Sequence, residues 1–192
     1  YTLSLPDALP IYSPSAREPQ ICSTGERFGV AWTDRRANRD EVWFRIIDLN
    51  GASLGSDRRV GLNEGGEASE ASVACLEHGF AVAWNEANGA ELSVQLLQLD
   101  AQGDPVGKAV ALPGILSALG VAGRELQLLR VQTDGDVSEL WLERVAGGAE
   151  VTQRLAPFGG NSLFLPLVAQ PGRSYLAWSQ DERLQAARID CP

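Results

Sequence analysis

An all-β fold, a β-propeller-like array of about four four-stranded antiparallel blades, is what three observations in this sequence predict. A stretch is repeated: Phe28-Gly-Val-Ala-Trp-Thr-Asp34 returns as Phe80-Ala-Val-Ala-Trp-Asn-Glu86, 52 residues on, and partially as Ser174-Tyr-Leu-Ala-Trp-Ser-Gln180. From Phe28 to Trp32 bulky residues alternate with small ones, the period-2 mark of a strand. Turn residues punctuate the text between such stretches at short, regular intervals.

The elements follow in order. Pro19 to Cys22 reads as a short strand and Ser23 to Glu26 as its turn. Phe28, Val30 and Trp32 then share one face, Gly29 and Ala31 the other. Thr33 to Glu41 is a charged loop, and Val42-Trp-Phe-Arg-Ile-Ile47 is a strand apolar enough to be covered on both faces. Asp48-Leu-Asn-Gly51 turns the chain into a polar outer strand, Arg58 to Leu62. The second unit repeats this with strands at Ser72–Cys75, Phe80–Trp84, Leu92–Leu97 and Lys108–Leu112, and with Asp100 to Gly103 in register with Asp48 to Gly51. A third, worn unit has Leu126 and Leu128 in the places of Phe80 and Val82, and Arg130 where the tryptophan belongs. A last unit runs from Ser162 through Trp178 to Ile189 and lacks a fourth strand. The expected blades are 17–64, 69–113, 115–157 and 162–192, within a single segment, 17–192.

Four-stranded units of this size cannot bury their own bulky faces, and stacking one on the next covers both. Phe28, Trp32, Phe80, Trp84 and Trp178 are therefore expected in the core rather than as sugar platforms. A β-sandwich is the rival fold, and a 52-residue register argues against it. Closing four blades into a ring would need an N-terminal strand in the last blade. Pro6, Pro10 and Pro14 make residues 1–16 a poor one, so an open arc from a larger propeller is expected.

The chain contains no methionine, so it is expected to be a piece of a longer one. Residues 1–11 resemble a translated sequencing adaptor, the alternative being a proline-punctuated arm, and residues 1–16 are set aside as non-native or disordered. No charged region followed by an apolar run marks a signal peptide, and the longest uncharged stretch, Ala109 to Gly123, is too short to span a bilayer. A formal charge of −9 without a basic cluster lacks the footprint of a nucleic-acid binder. Neither membrane insertion nor a nucleic-acid partner is expected.

Val30-Ala-Trp-Thr-Asp34 with Asp48 to Gly51, and Val82-Ala-Trp84 with Asp100 to Gly103, resemble the repeat of secreted or surface β-propeller proteins of environmental bacteria. The resemblance is good over 17–112, weak over 113–160 and partial beyond. It implies a blade-maintaining motif and an exported, extracellular or cell-surface protein.

Chemistry-bearing residues are sparse. His78 is the single histidine and sits in a sharp turn, and no Cys-x-x-Cys pair exists, so neither a cofactor nor a metal is expected. Asp134 and Asp136 around Gly135 read as a hairpin, since two carboxylates fall short of a calcium shell. Cys22 and Cys75 are 53 residues apart, one more than the repeat, which turns them to opposite sheet faces. Opposite faces of neighbouring blades look at each other, so the reading allows an inter-blade disulfide or two buried thiols, while Cys191 has no partner in view. The loops after the tryptophan strands are the place to seek binding, with Asp34, Arg35, Arg36, Asp40, Glu86 and Asn88 as candidates. The expected function is a non-enzymatic scaffold that binds protein or glycan. The alternative is a sialidase-like, glycan-cleaving propeller using paired carboxylates, although the Ser-x-Asp-x-Gly-x-x-Trp box is absent.

Overall fold

A computed structural model describes residues 15–36, 38–61, 66–135, 137–146, 149–158, 167–170, 173–180 and 183–190. Its first sheet is an antiparallel meander of β1 (Arg17–Ser23), β2 (Arg27–Asp34), β3 (Glu41–Asp48) and β4 (Arg58–Arg59). The second comprises β5 (Glu67–Leu76), β6 (Gly79–Asn88), β7 (Glu91–Asp100) and β8 (Val110–Pro113). The third has β9 (Ile115–Ala122), β10 (Glu125–Asp134), β11 (Val137–Ala146) and β12 (Ala149–Phe158). A three-stranded sheet of β13 (Leu167–Gln170), β14 (Arg173–Gln180) and β15 (Arg183–Asp190) follows. The first strands touch in succession, β1 with β5, β5 with β9 and β9 with β13, as blades around a shared axis must.

Side-chain alternation decides how the blades meet. Phe80, Val82 and Trp84 point back to blade 1 and share a core with Ala31, Phe44 and Ile46. On the other face of the same strand, Ala81 and Ala83 receive Leu116, Leu126 and Leu128 of blade 3. Leu129, Leu140 and Leu142 meet Leu176 and Ile189 of blade 4. At the second joint a bulky face thus packs on a small one, whereas at the third leucines stand on both sides. Gly29 shows how tight the fit is, because a Cβ there would lie 2.6 Å from Cδ1 of Phe80. Burying one such phenylalanine contributes about 1.5–3 kcal/mol.

The two repeated motifs have distinct structural jobs. Trp32 Nε1 donates to Asp34 Oδ2 at 3.4 Å, and Trp84 Nε1 to Glu86 Oε2 at 3.2 Å, so the acid two residues on satisfies each buried indole. In the Asp-x-x-Gly turns, Asp48 Oδ1 accepts from Asn50 N and Ala52 N at 2.8 Å, and Asp100 Oδ1 from Gln102 N and Asp104 N at 2.9 Å. Gly51 and Gly103 stand at φ +84° and +80°, the left-handed region that glycine occupies without a Cβ clash.

Where the third blade departs from the pattern, charge replaces apolar packing. Arg130, in the tryptophan's place, pairs with buried Glu143 at 2.7 Å, lies over the Trp141 ring, and donates to Gln132 Oε1 at 2.9 Å. Gln132 is two residues on, in the position that Glu86 fills beside Trp84. Cys22 and Cys75 are bonded, with 5.6 Å between Cα atoms, and so clasp β1 to β5. Cys22 stands opposite Gly29 and Cys75 opposite Phe80, which turns the two sulfurs toward each other across the blade interface.

Trp32, Phe80 and Trp84 are fully buried or within 1% of it, whereas Phe28 is half-buried on the blade 1 face turned away from blade 2. Trp178 pairs with Gln185 in the ladder, but its side chain lies outside the described residues, as do Cys191, Asp136 and residues 1–14. Ser15 and Ala16, set aside with the N-terminal segment, are placed: Ser15 Oγ donates to Asp34 Oδ1 at 2.9 Å and Ala16 packs by Trp32.

Candidate functional site

The β2–β3 and β6–β7 hairpins and the starts of β1 and β5 carry a dense charge network. Asp34 is fully buried and accepts from Arg36 N at 2.9 Å and Arg36 Nε at 2.7 Å, besides Trp32 and Ser15. Arg36 also reaches Asp57 at 2.8 Å and lies 4.1 Å from the centre of the Trp43 ring. Arg35 bridges blades, pairing with Asp40 at 3.3 Å and with Glu67 of β5 at 3.4 Å. Asp40 pairs with Arg17 of β1 as well. Its hydrogen bond from the Arg17 guanidinium, helped by the charges of Arg17 and Arg35, holds the carboxyl below the usual range despite partial burial.

Of the six rim candidates, Asp34 and Arg36 thus share one ion-pair cluster with Asp57, and Arg35 and Asp40 share another with Arg17 and Glu67. Glu86 and Asn88 are placed differently from the expectation, since both lie within β6 and the loop after them is only Gly89 and Ala90. The longer strand arises because the Ala87 and Asn88 pairs with Leu92 and Glu91 continue the ladder. Glu86 is buried beneath Trp84 and borders, with Asp40, Glu41 and Gly66, a cavity of about 10 Å³, room for one water. Asn88 is exposed and makes no side-chain hydrogen bond to the other five among the described residues.

Two residues that sequence reasoning missed stand closer to the axis. Glu18 and Glu70, 52 residues apart, both adopt φ 54°, left-handed for a non-glycine residue. Each lies where the first strand slips register against the second, between Arg17 and Gln20 and between Ser69 and Ser72. Glu18 Oε2 accepts from Thr33 Oγ1 at 3.4 Å and from Glu70 N at 3.3 Å, while Glu70 accepts from Asn85 Nδ2. Asn85 Oδ1 in turn accepts from Leu116 N of the third blade at 2.6 Å. Two exposed carboxylates are thereby presented by adjacent innermost strands, one at the backbone of the other. The identity of residues 18 and 70 at the repeat offset was the available signal, and the bulge that exposes them was not legible. Among the described residues no group of three or more His, Cys, Asp or Glu is arranged to hold a metal ion.

No family model and no curated protein matches this sequence. Solved structures do match in fold. An α-L-arabinofuranosidase from Fusarium graminearum superposes with a TM-score of 0.62 at 10% identity, over 91% of this chain and 58% of its own. An exo-β-1,3-galactanase from Phanerochaete chrysosporium gives 0.59 at 13%, over 86% and 44%. The Trypanosoma rangeli sialidase, in complex with sialic acid, gives 0.66 at 14%, over 91% and 36%. The chain therefore spans less than two thirds of the length of each. This overturns the expectation of a non-enzymatic scaffold: the same blade stacking serves glycan-cleaving enzymes, so upkeep of the repeat is no argument against catalysis. What the chain shares with these glycosidases is the β-propeller fold.

Proposed function

We propose that this chain is part of a glycan-cleaving β-propeller enzyme, acting on a glycan at the end of the array where β1 and β5 begin. The observation that carries this reading is the pair Glu18 and Glu70, exposed and left-handed at equivalent bulges of neighbouring inner strands. Strained, over-determined backbone of this kind gathers at functional sites. Glycoside hydrolysis needs two carboxyl groups, one donating a proton to the leaving oxygen and one acting as base or nucleophile. Glu18 and Glu70 supply two such groups, positioned by Thr33 and Asn85. The disulfide between Cys22 and Cys75 suits an oxidising, extracellular setting.

The test is hydrolysis of a glycan panel by the intact polypeptide, followed by Glu18→Gln and Glu70→Gln. The expected outcome is cleavage of at least one glycan and a loss in kcat of about 10²–10⁴ in each variant, with the circular dichroism unchanged. Full activity in both variants, or no hydrolysis of any glycan, overturns the reading.

A further inference from the structure

The chain contains two Asn-Gly pairs, Asn50-Gly51 and Asn88-Gly89, both with the asparagine exposed. Their backbones are held very differently. In the first, Gly51 N donates to Asp48 O at 3.1 Å and Asn50 N to Asp48 Oδ1 at 2.8 Å. The Gly51 nitrogen is thus tied into a capped turn. In the second, Gly89 opens the two-residue connection between β6 and β7 at φ +63°, with open space where a Cβ would stand. Its amide makes no backbone hydrogen bond among the described residues.

We infer that Asn88 is a site of spontaneous deamidation and that Asn50 is protected from it. The Gly89 nitrogen attacks Cγ of Asn88 and loses its proton, the Cγ–Nδ2 bond breaks, and ammonia leaves. Water then opens the resulting succinimide at either carbonyl, giving aspartate or isoaspartate. No co-reactant other than water is required. Asn88 is paired across the ladder with Glu91, so the product sets two like charges opposite each other at the end of the hairpin. The isoaspartyl form also lengthens the backbone there. The β6–β7 end therefore loosens with age, two residues beyond the carboxylate that satisfies Trp84.

Peptide mapping by mass spectrometry tests this, on the intact folded protein incubated at neutral and mildly alkaline pH. The Asn88 peptide is expected to accumulate aspartyl and isoaspartyl forms, faster at the higher pH. The Asn50 peptide should convert roughly tenfold more slowly, the factor that one net hydrogen bond supplies. In the reduced chain in denaturant the two sites should react at similar rates. Asn88→Gln should remove the reaction while leaving the hairpin intact. Conversion of Asn50 as fast as Asn88 in the folded protein overturns the inference, as does an unchanged Asn88 under conditions where the unfolded chain reacts.

Discussion

Gly29 and Asp40 show what single positions contribute. Gly29 exists to admit the Phe80 ring, and adding one methyl at 2.6 Å from Cδ1 forces ring or strand to shift. Gly29→Ala should destabilise the protein by about 1–3 kcal/mol, read as a lower urea midpoint. Trimming the ring in Gly29→Ala/Phe80→Leu should recover part of that loss, and simple additivity of the two single losses would contradict the fit described. Asp40 makes stability depend on pH in a definite direction. Its folded-state carboxyl titrates below the usual value because Arg17 hydrogen-bonds the charged form. The stabilisation is therefore complete above the unfolded value near pH 4 and is lost as pH falls through the folded one. Arg17 is 41% exposed, which limits the pair to at most about 1 kcal/mol. Arg17→Gln should lower stability at neutral pH, with the gap to the parent protein closing on acidification. A gap that stays constant with pH would show that Arg17 acts through packing alone.

Among the elements, β10 and β11 carry the departure that sequence comparison registered without explaining. Arg130 stands in the tryptophan's place because Glu143, on the same face of the adjacent strand, accepts its guanidinium, and Thr152 completes the carboxylate. Removing one partner strands a buried charge. Glu143→Leu should cost about 3–5 kcal/mol, whereas Arg130→Trp/Glu143→Leu, which restores the arrangement of blade 2, should recover most of it. Thermal denaturation of the three proteins decides the matter, and a double variant no better than the single would show that the pair is more than a substitute for apolar packing. The same comparison marks how far the sequence could be read. Strand order, the Asp-x-x-Gly turns and the alternation of bulky and small faces follow from local residues. The reach of β6 to Asn88 and the bulges at Glu18 and Glu70 do not, because they depend on which residues stand opposite.

At the scale of the whole molecule, the 52-residue register carried the architecture and gave no sign of the chemistry proposed above. Its repeated positions are occupied by joints: indoles, their carboxylate partners, turn aspartates and glycines. The inner-strand glutamates share the register yet face solvent, so hydrophobic periodicity gave them no weight. No motif carries the proposed glycan chemistry, and at 10–14% identity what the chain shares with the enzymes named above is the blade packing.

The joints between blades have a further implication. Phe80 faces Gly29 at the first, Leu126 joins Ala81 in the core of the second, and at the third Ser174 Oγ donates to buried Gln127. A large residue meets none, then a medium one a small one, and finally a small one meets a large one. The copies are keyed, each cut to a single lock. Were the second module transplanted behind the third, its benzyl group would strike an amide, so the joints themselves dictate the order of modules around the axis.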